Sequence, residues 1–173
     1  PTIQPTAIHS DKSKSNPNTQ STTEERQFIG CIGEWQAYQF MKQEFGPNVI
    51  TPDSWVSEIR RKFLPPIYGE PDNISDSHGF DFRFTFNSKR WHVEVKSTKS
   101  DETQFDLGVT EIEASVRFAN QNQLGLWRIL RIRNTLSKNP NFDWLPNPFE
   151  EEYKDRFRFK ENGMRLSYRP MKS

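Results

Sequence analysis

An aspartate and a Glu-x-Lys triplet stand in two short stretches that alternate aromatic and polar residues. Asp81 lies in FDFRFTF, Phe80 to Phe86, and Glu94 and Lys96 lie in WHVEVKST, Trp91 to Thr98. Such period-two alternation marks half-buried strands, and the intervening Asn87 to Arg90 reads as a hairpin turn. Side chains alternate faces along a strand, so Asp81, Arg83 and Thr85 share one face and Phe80, Phe82, Phe84 and Phe86 the other. On the partner strand His92, Glu94 and Lys96 share a face, opposite Trp91, Val93 and Val95. If Asn87-Ser88 is the whole turn, Asp81 falls opposite Glu94; if the loop is Asn87 to Arg90, it falls opposite Lys96. Either register gathers Asp81, Glu94 and Lys96 on one face, because a one-residue slip exposes half of the aromatic set.

Two carboxylates about 5 Å apart repel unless a proton or a cation sits between them. Hard oxygen ligands of this kind suit Mg²⁺ or Mn²⁺, which keep several waters and bind phosphate oxygens. Such an ion lowers the pKa of an attacking water and neutralises charge on a pentacovalent phosphate. Lys96 is placed to orient that water or to stabilise the phosphoryl oxygens. The pattern therefore points to metal-dependent hydrolysis of a phosphodiester. The competing reading is that these charges decorate the wet face of an antiparallel sheet.

The elements that must position these residues can be read from the flanking sequence. A first helix begins where Ser21 or Thr22 meets Glu24 and Glu25 at capping-box spacing, and runs to about Phe45 before Gly46-Pro47. Residues 49–75 are ambiguous. Thr51-Pro52-Asp53 resembles a helix start, WVSEIRRKF fits strand followed by loop, and Pro65-Pro66 through PDNISDSHG form a long irregular connection. A second helix is expected from near Thr110, with Thr110-x-x-Glu113 as its capping box, to about Gln121. LWRILRIR, Leu126 to Arg133, is a further strand, and residues 134–149 read mostly as loop. FRFKENGMRLSYR carries Asn162-Gly163 between alternating segments, a strong hairpin signal. The order predicts an α/β fold with a central mixed sheet flanked by helices and an added C-terminal β-hairpin at 155–169.

The whole chain has 173 residues, enough for one such domain, and residues 1–22 are expected to be a disordered linker before a domain spanning 23–173. Hydrophobic residues make up 32% and aromatics 13%, so the core must rely on Phe and Trp. The 24 basic and 23 acidic residues nearly cancel, so any surface for nucleic acid must arise from local patterning. The single cysteine, Cys31, excludes an internal disulfide and a Cys-based zinc site, in keeping with a cytoplasmic setting. No apolar run approaches the roughly 18 residues of a membrane span. The chain starts at Pro1, which suggests a domain excised from a longer protein or a processed one.

The same residues carry a resemblance. Asp81 followed by Glu94-x-Lys96 resembles the PD-(D/E)xK motif of restriction-type nucleases. GEWQAYQFMKQEFG, TPDSWVSEIRRKFLP, SHGFDFRF, WHVEVKST, FDLGVTEIEAS and LWRILRIR occur in an order similar to the domain family at the C-terminus of the plant NO VEIN protein. That family appears in bacterial restriction and defence proteins, commonly appended to ATPase or helicase modules. The resemblance covers about residues 24–135 and implies a restriction-endonuclease-like fold. It also implies Asp81 and Glu94 as metal ligands, the Val95 carbonyl as a third, and Lys96 as the catalytic lysine. The usual Pro before the Asp is absent, His78-Gly79-Phe80 standing there. DNA is the expected substrate, and an ATPase or helicase module in the same or a partner chain is the expected companion. Homodimerisation is left open.

Glu34 is a further candidate. At helical spacing its neighbours Gly30, Cys31, Ala37, Tyr38 and Met41 form an apolar or small-residue stripe, where a carboxylate needs a partner or a metal. In the superfamily an acidic residue of the first helix often completes the metal shell; otherwise Glu34 sits at the stripe's edge and reaches solvent. His78 and His92 are alternatives for base or ligand work. Glu111 and Glu113 read as helix N-terminal acids. Lys99 and Arg60-Arg61-Lys62 are candidate phosphate contacts. In the C-terminal hairpin, a two-residue turn at Asn162-Gly163 puts Arg156, Arg158, Lys160, Arg165 and Arg169 on one face as a nucleic-acid grip. Phe157, Phe159, Leu166 and Tyr168 then lie on the packed face. The alternative is a solvated ribbon balanced by Glu150-Glu151-Glu152. The expectation is thus a Mg²⁺- or Mn²⁺-dependent DNA endonuclease domain, the effector of a restriction or anti-phage defence protein. The competing expectation is a catalytically silent module of the same fold that binds nucleic acid or a partner protein.

Overall fold

A computed structural model describes residues 22–64, 74–160 and 165–168. Residues 1–21 of the expected linker, the Pro65-Pro66 step, the Asn162-Gly163 turn and Arg169 lie outside the described residues. Helix α1, Thr23–Phe45, starts where Thr22 Oγ1 accepts the Glu25 N–H at 3.1 Å. It ends at Gly46, whose φ of 93° closes the last turn. Strands β1, Phe82–Phe86, and β2, Lys89–Ser97, form the expected hairpin. Asn87 and Ser88 have φ of 48° and 61° and make a two-residue turn of the primed type that pairs Phe86 with Lys89. The shorter of the two turns is therefore the observed one, but the ladder stops at Phe82 with Val93, and the expected Asp81–Glu94 pair does not form: the Asp81 N–H bonds the Val93 carbonyl instead.

Three further strands and a helix complete the frame: β3, Gln104–Asp106; α3, Val109–Asn120; β4, Leu126–Arg133; and β5, Asn141–Leu145. A short helical turn, α2, covers Arg60–Phe63. The main sheet is mixed, in the order β1-β2-β4-β5, with β2 and β4 parallel and the outer pairs antiparallel. The C-terminal strands β6, Phe157–Lys160, and β7, Arg165–Tyr168, pair as expected, Lys160 with Arg165 through Phe157 with Tyr168. They do not form a free hairpin: β7 is the middle strand of a second sheet, β3-β7-β6. Neither β3 nor β5 is expected from the sequence. Three residues are too few to show a period, and β5 lies in a segment read as loop because of its prolines.

Both faces of the main sheet are covered. Ala37, Tyr38 and Met41 of α1 pack with Phe82, Phe84, Val93, Val95, Leu130 and Ile132 on one side. On the other, Ala114 and Phe118 of α3 join Phe105, Leu107, Trp127, Ile129, Phe157 and Leu166. The supposed wet face of β2 is thus an interior one: His92 and Glu94 are both buried. Phe80 departs from the expected alternation. Strand β1 starts only at Phe82, and Phe80 lies on the α3 side, against His92 and Phe118 at ring separations of 4.7 and 6.3 Å. The cause is Gly79, whose φ of 72° turns the chain where it crosses the sheet edge. A Cβ there would lie 2.4 Å from the Thr110 carbonyl oxygen, so only glycine lets α3 approach. Among the described residues no helix is long and apolar enough to cross a membrane.

On the opposite face Gly33 allows α1 to touch β2: an added Cβ would meet Ser97 Cβ at 2.4 Å and its Oγ at 2.5 Å. Gly33→Ala should therefore destabilise the domain by about 1–3 kcal/mol through overpacking. Replacing Ser97 by Gly in the same chain should return much of that loss, giving a coupling of about 1 kcal/mol or more. Urea denaturation of the two single variants and the double variant measures it. Additive losses would show that α1 does not rest on Ser97.

Candidate active site

Asp81 is fixed by its own main chain before its side chain does anything. Its N–H donates to the Val93 carbonyl at 2.9 Å, and its carbonyl accepts the N–H groups of Val56 and Ser57 at 2.8 and 3.3 Å. The carboxylate then accepts the Val95 N–H at Oδ2, 2.8 Å away. Since the N–H and C=O of one strand residue leave from the same edge, the Val95 carbonyl is directed to the Asp81 side as well. From α1, Glu34 enters the same space, only 7% exposed. Its Oε2 accepts Trp55 Nε1–H at 2.8 Å and the Ser57 hydroxyl. Glu94 and Lys96 project from β2 on the α3 side, and Lys96 Nζ lies 2.9 Å from Glu94 Oε1 and 2.5 Å from Glu111 Oε2.

These groups line one cavity of about 290 Å³, shared by Glu34, Asp81, Glu94, Val95, Lys96 and Glu111. Their electrostatics are those of an acidic site short of positive charge. Burial, ahead of any neighbouring charge, pushes the Glu34 carboxyl up to about 7, against hydrogen bonds from Ser57 and Trp55 that lower it. Asp81 is held well above the usual carboxylate range by burial and then by the charge of Glu34. Glu94 is raised likewise by burial and then by Asp81. Burial also opposes the charge on Lys96, but Glu94 and Glu111 more than offset it and hold the ammonium above the ordinary lysine range. One lysine faces five carboxylates, those of Glu34, Asp76, Asp81, Glu94 and Glu111, so the cavity favours protons or a cation.

The donor set suits a hard divalent ion in type. Glu34, Asp81 and Glu94 each have one oxygen in the bonds just described and a second to which no described protein group donates. The Val95 carbonyl is the neutral oxygen beside them. Among the described residues, however, no three acidic, histidine or cysteine side chains converge at metal-ligand distance. Lys96 occupies the contact with Glu94, and uptake of an ion must draw the carboxylates together.

Other expected residues are placed differently. His92 is a core side chain: its ring lies 4.4 Å from that of Phe118, and burial lowers its pKa to about 4, so it stays neutral. His78 stacks on Phe80 at 5.5 Å, outside the carboxylate cluster. Helix α3 starts two residues earlier than its expected capping box, with Gly108 at the N-cap and Glu111 Oε2 accepting the Gly108 N–H at 2.9 Å. Glu111, expected only as a dipole acid, thereby also reaches Lys96. Arg60 is buried beside Asp53 rather than offered to a ligand, while Arg61 and Lys62 are exposed.

Among the expected phosphate contacts, Lys99 pairs with Glu25 at 2.7 Å. Arg165 is bound by both oxygens of Asp106, at 2.8 and 3.2 Å, so the grip face is not uniformly basic. Arg156 lies in the 3-10 turn before β6, not in the strand. With Arg158 and Lys160 it lines a separate cavity of about 500 Å³. On the packed face Phe157, Leu166 and Tyr168 are buried, but Phe159 is 43% exposed. Trp55 and Ser57, which hold Glu34, are not foreseen from the sequence; their one signal is two-residue spacing in the ambiguous 49–75 segment. No family model matches the chain, nor does any curated protein or solved structure.

The raised Glu34 pKa has a stability consequence. The native carboxyl keeps its proton where the unfolded one has lost it, so the native state binds more protons between about 4.5 and 7. Without divalent ions, stability should fall as pH rises through that window. Glu34→Gln should flatten the fall and gain up to on the order of 3 kcal/mol above it. Denaturation near pH 5 and near pH 8 measures this. Equal pH dependence in the variant would show that Glu34 ionises as readily as a surface glutamate.

Proposed function

We propose that this chain is a divalent-metal-dependent nuclease domain of the restriction-endonuclease-like fold, hydrolysing phosphodiester bonds, most naturally those of DNA. One observation carries the reading. Residues from three separate elements, Glu34 on α1, Asp81 before β1, and Glu94 and Lys96 on β2, meet in a single cavity, with the aromatic side chains of β1 packed away from it. The motif resemblance to the NO VEIN C-terminal domains supports the same reading. It further suggests an effector of a restriction or anti-phage defence protein, working with an ATPase or helicase module.

Asp81, Glu94, Glu34 and the Val95 carbonyl would hold Mg²⁺ or Mn²⁺. When bound, such an ion supplies Lewis-acid stabilisation of a phosphoryl oxygen and an acidified attacking water. The chain's own residues do the rest. Trp55 and Ser57 keep Glu34 pointed into the cavity, and the Val95 N–H fixes the rotamer of Asp81. Glu111 steadies Lys96 Nζ, which orients the water or takes up charge on a non-bridging oxygen. Burial of the cluster strengthens each of these interactions. A second reading, a silent binding module of the same fold, draws on one observation: Lys96 closed between Glu94 and Glu111 also describes a structural ion-pair triad.

Cleavage of plasmid and single-stranded DNA with Mg²⁺ and with Mn²⁺ separates the two. Asp81→Ala and Glu94→Ala should abolish cleavage and weaken Mn²⁺ binding in calorimetry. Lys96→Ala should lower the rate on the order of 100-fold or more while leaving the ion bound. Glu34→Gln should require more metal for the same rate. Wild-type cleavage by a folded Glu94→Ala chain would overturn the nuclease reading, and Mn²⁺ binding without cleavage by the parent chain would favour the silent module.

A further inference from the structure

We propose that the cavity next to Lys96 is a subsite for a backbone phosphate, built around Arg131, which seats a nucleic-acid strand beside the reacting phosphate. This rests on the nuclease reading above. Strand β4 carries three arginines with buried or half-buried side chains, and two of them have acidic partners. Arg128 is paired by Glu150, and Arg133 by Asp101 and Asp143. Arg131 is 2% exposed, yet among the described residues no carboxylate forms an ion pair with it. Its Nη2 donates to the carbonyls of Glu102 and Gln104, each at 2.9 Å, its Cζ lies over the Phe105 ring at 5.6 Å, and among the described residues its Nε has no hydrogen-bond partner. A buried guanidinium left with neutral acceptors is costly unless an anion completes its surroundings.

The place for that anion is defined. Arg131 is the register partner of Lys96 across the parallel β2–β4 pair, so both side chains lie on the same face, one strand spacing apart. It lines a cavity of about 660 Å³ with Arg26, Lys96 and Arg165. Two acids, Glu102 and Asp106, also line it, but Asp106 is engaged by Arg165. Lys96 is already held by Glu94 and Glu111 and Arg165 by Asp106, so the positive charge this space offers an anion is chiefly that of Arg131, with exposed Arg26 on its lining, in contrast to the carboxylate cavity that begins at Lys96.

The occupant follows from what adjoins it. The cavity shares Lys96 with the carboxylate cavity and Gln104 with the one lined by Arg156, Arg158 and Lys160. The three run in sequence, acidic centre, Arg131 subsite, then hairpin cations. Such a track matches a chain of repeated phosphates better than a single small anion. Guanidinium groups suit the non-bridging oxygens of a phosphate geometrically. The sequence points to the C-terminal hairpin as the grip, with Lys99 and Arg60-Arg61-Lys62 as further phosphate contacts; the structure assigns the first contact to Arg131 and Arg26, closer to the chemistry.

The test is binding of a fluorescein-labelled oligodeoxynucleotide, single-stranded and duplex, across a KCl series in EDTA. Arg131→Met keeps the stem and removes the charge. It should weaken binding on the order of tenfold near 0.1 M salt and reduce the log–log salt slope by about 0.7–0.9. A folded Arg131→Met chain with the wild-type slope would overturn the proposal. If that variant does not fold, exposed Arg26→Gln carries the test, and an unchanged slope there overturns it equally. Inorganic phosphate is the competing probe. If it raises the melting temperature of the parent chain while the oligonucleotide fails to bind, the subsite is for a small phosphate and the backbone assignment falls. The two readings fail separately. A lowered slope with no cleavage under any ion removes the nuclease reading and leaves the strand track. Cleavage lost in Glu94→Ala with the slope untouched by Arg131→Met does the reverse.

Discussion

At the mouth of the β1–β2 hairpin a side chain stands in for a main-chain rung: Asp81 Oδ2 takes the Val95 N–H that a longer β1 would have bonded. That substitution orders much of what surrounds it. Ending β1 early frees the edge of β2, and with it the Val95 carbonyl, to face a cavity instead of a neighbouring strand. The Asp81 carbonyl meanwhile collects the N–H groups of Val56 and Ser57. The segment that steadies Glu34 is therefore hung from the same residue that supplies a carboxylate. Three acids line one cavity from a helix, from the chain just before β1 and from a strand.

The arrangement stores electrostatic tension. Buried carboxylates with raised pKa values are stable when protonated or when a cation joins them, and Lys96 neutralises only part of the cluster. A protein selected for stability alone would replace such a group by apolar side chains of similar volume. Here instead aromatic packing on the α1 side carries the stability. Phe45, for example, contacts the rings of Phe84, Phe86, Trp91 and Trp144. The polar cluster sits where that packing ends.

Much of the site could be read in the residues because its central part is local. Asp81 and Glu94 belong to one hairpin, and the alternation of Phe82, Phe84, Val93 and Val95 allows only registers that keep Asp81, Glu94 and Lys96 on one face. Glu34 was legible for a related reason, a charge set in a small and apolar helical stripe. The unread parts depend on distant chain. Trp55 and Ser57 matter only because α1 packs over them. Arg131 looks like one more arginine in LWRILRIR until β3 and Lys96 lie beside it. Phe80 changes sides because of a backbone turn at Gly79 that no period-two count reveals. Strand β3 owes its existence to β7, some sixty residues on, and β5 to its pairing with β4.

Each margin of the main sheet carries a feature that limits lateral growth. Beyond β1 the chain at Trp55 bridges to Phe82, so this edge is occupied at its first residue. At the far margin β5 has five residues, with Pro140 just before it and Pro146 just after. A strand bracketed in this way cannot be lengthened by an incoming chain, since proline offers no N–H and resists continued pairing. A sheet rich in Phe and Trp would otherwise be a template for edge-to-edge aggregation. With one edge bridged at its first residue and the other only five residues long, the main sheet offers an incoming strand little length to pair with.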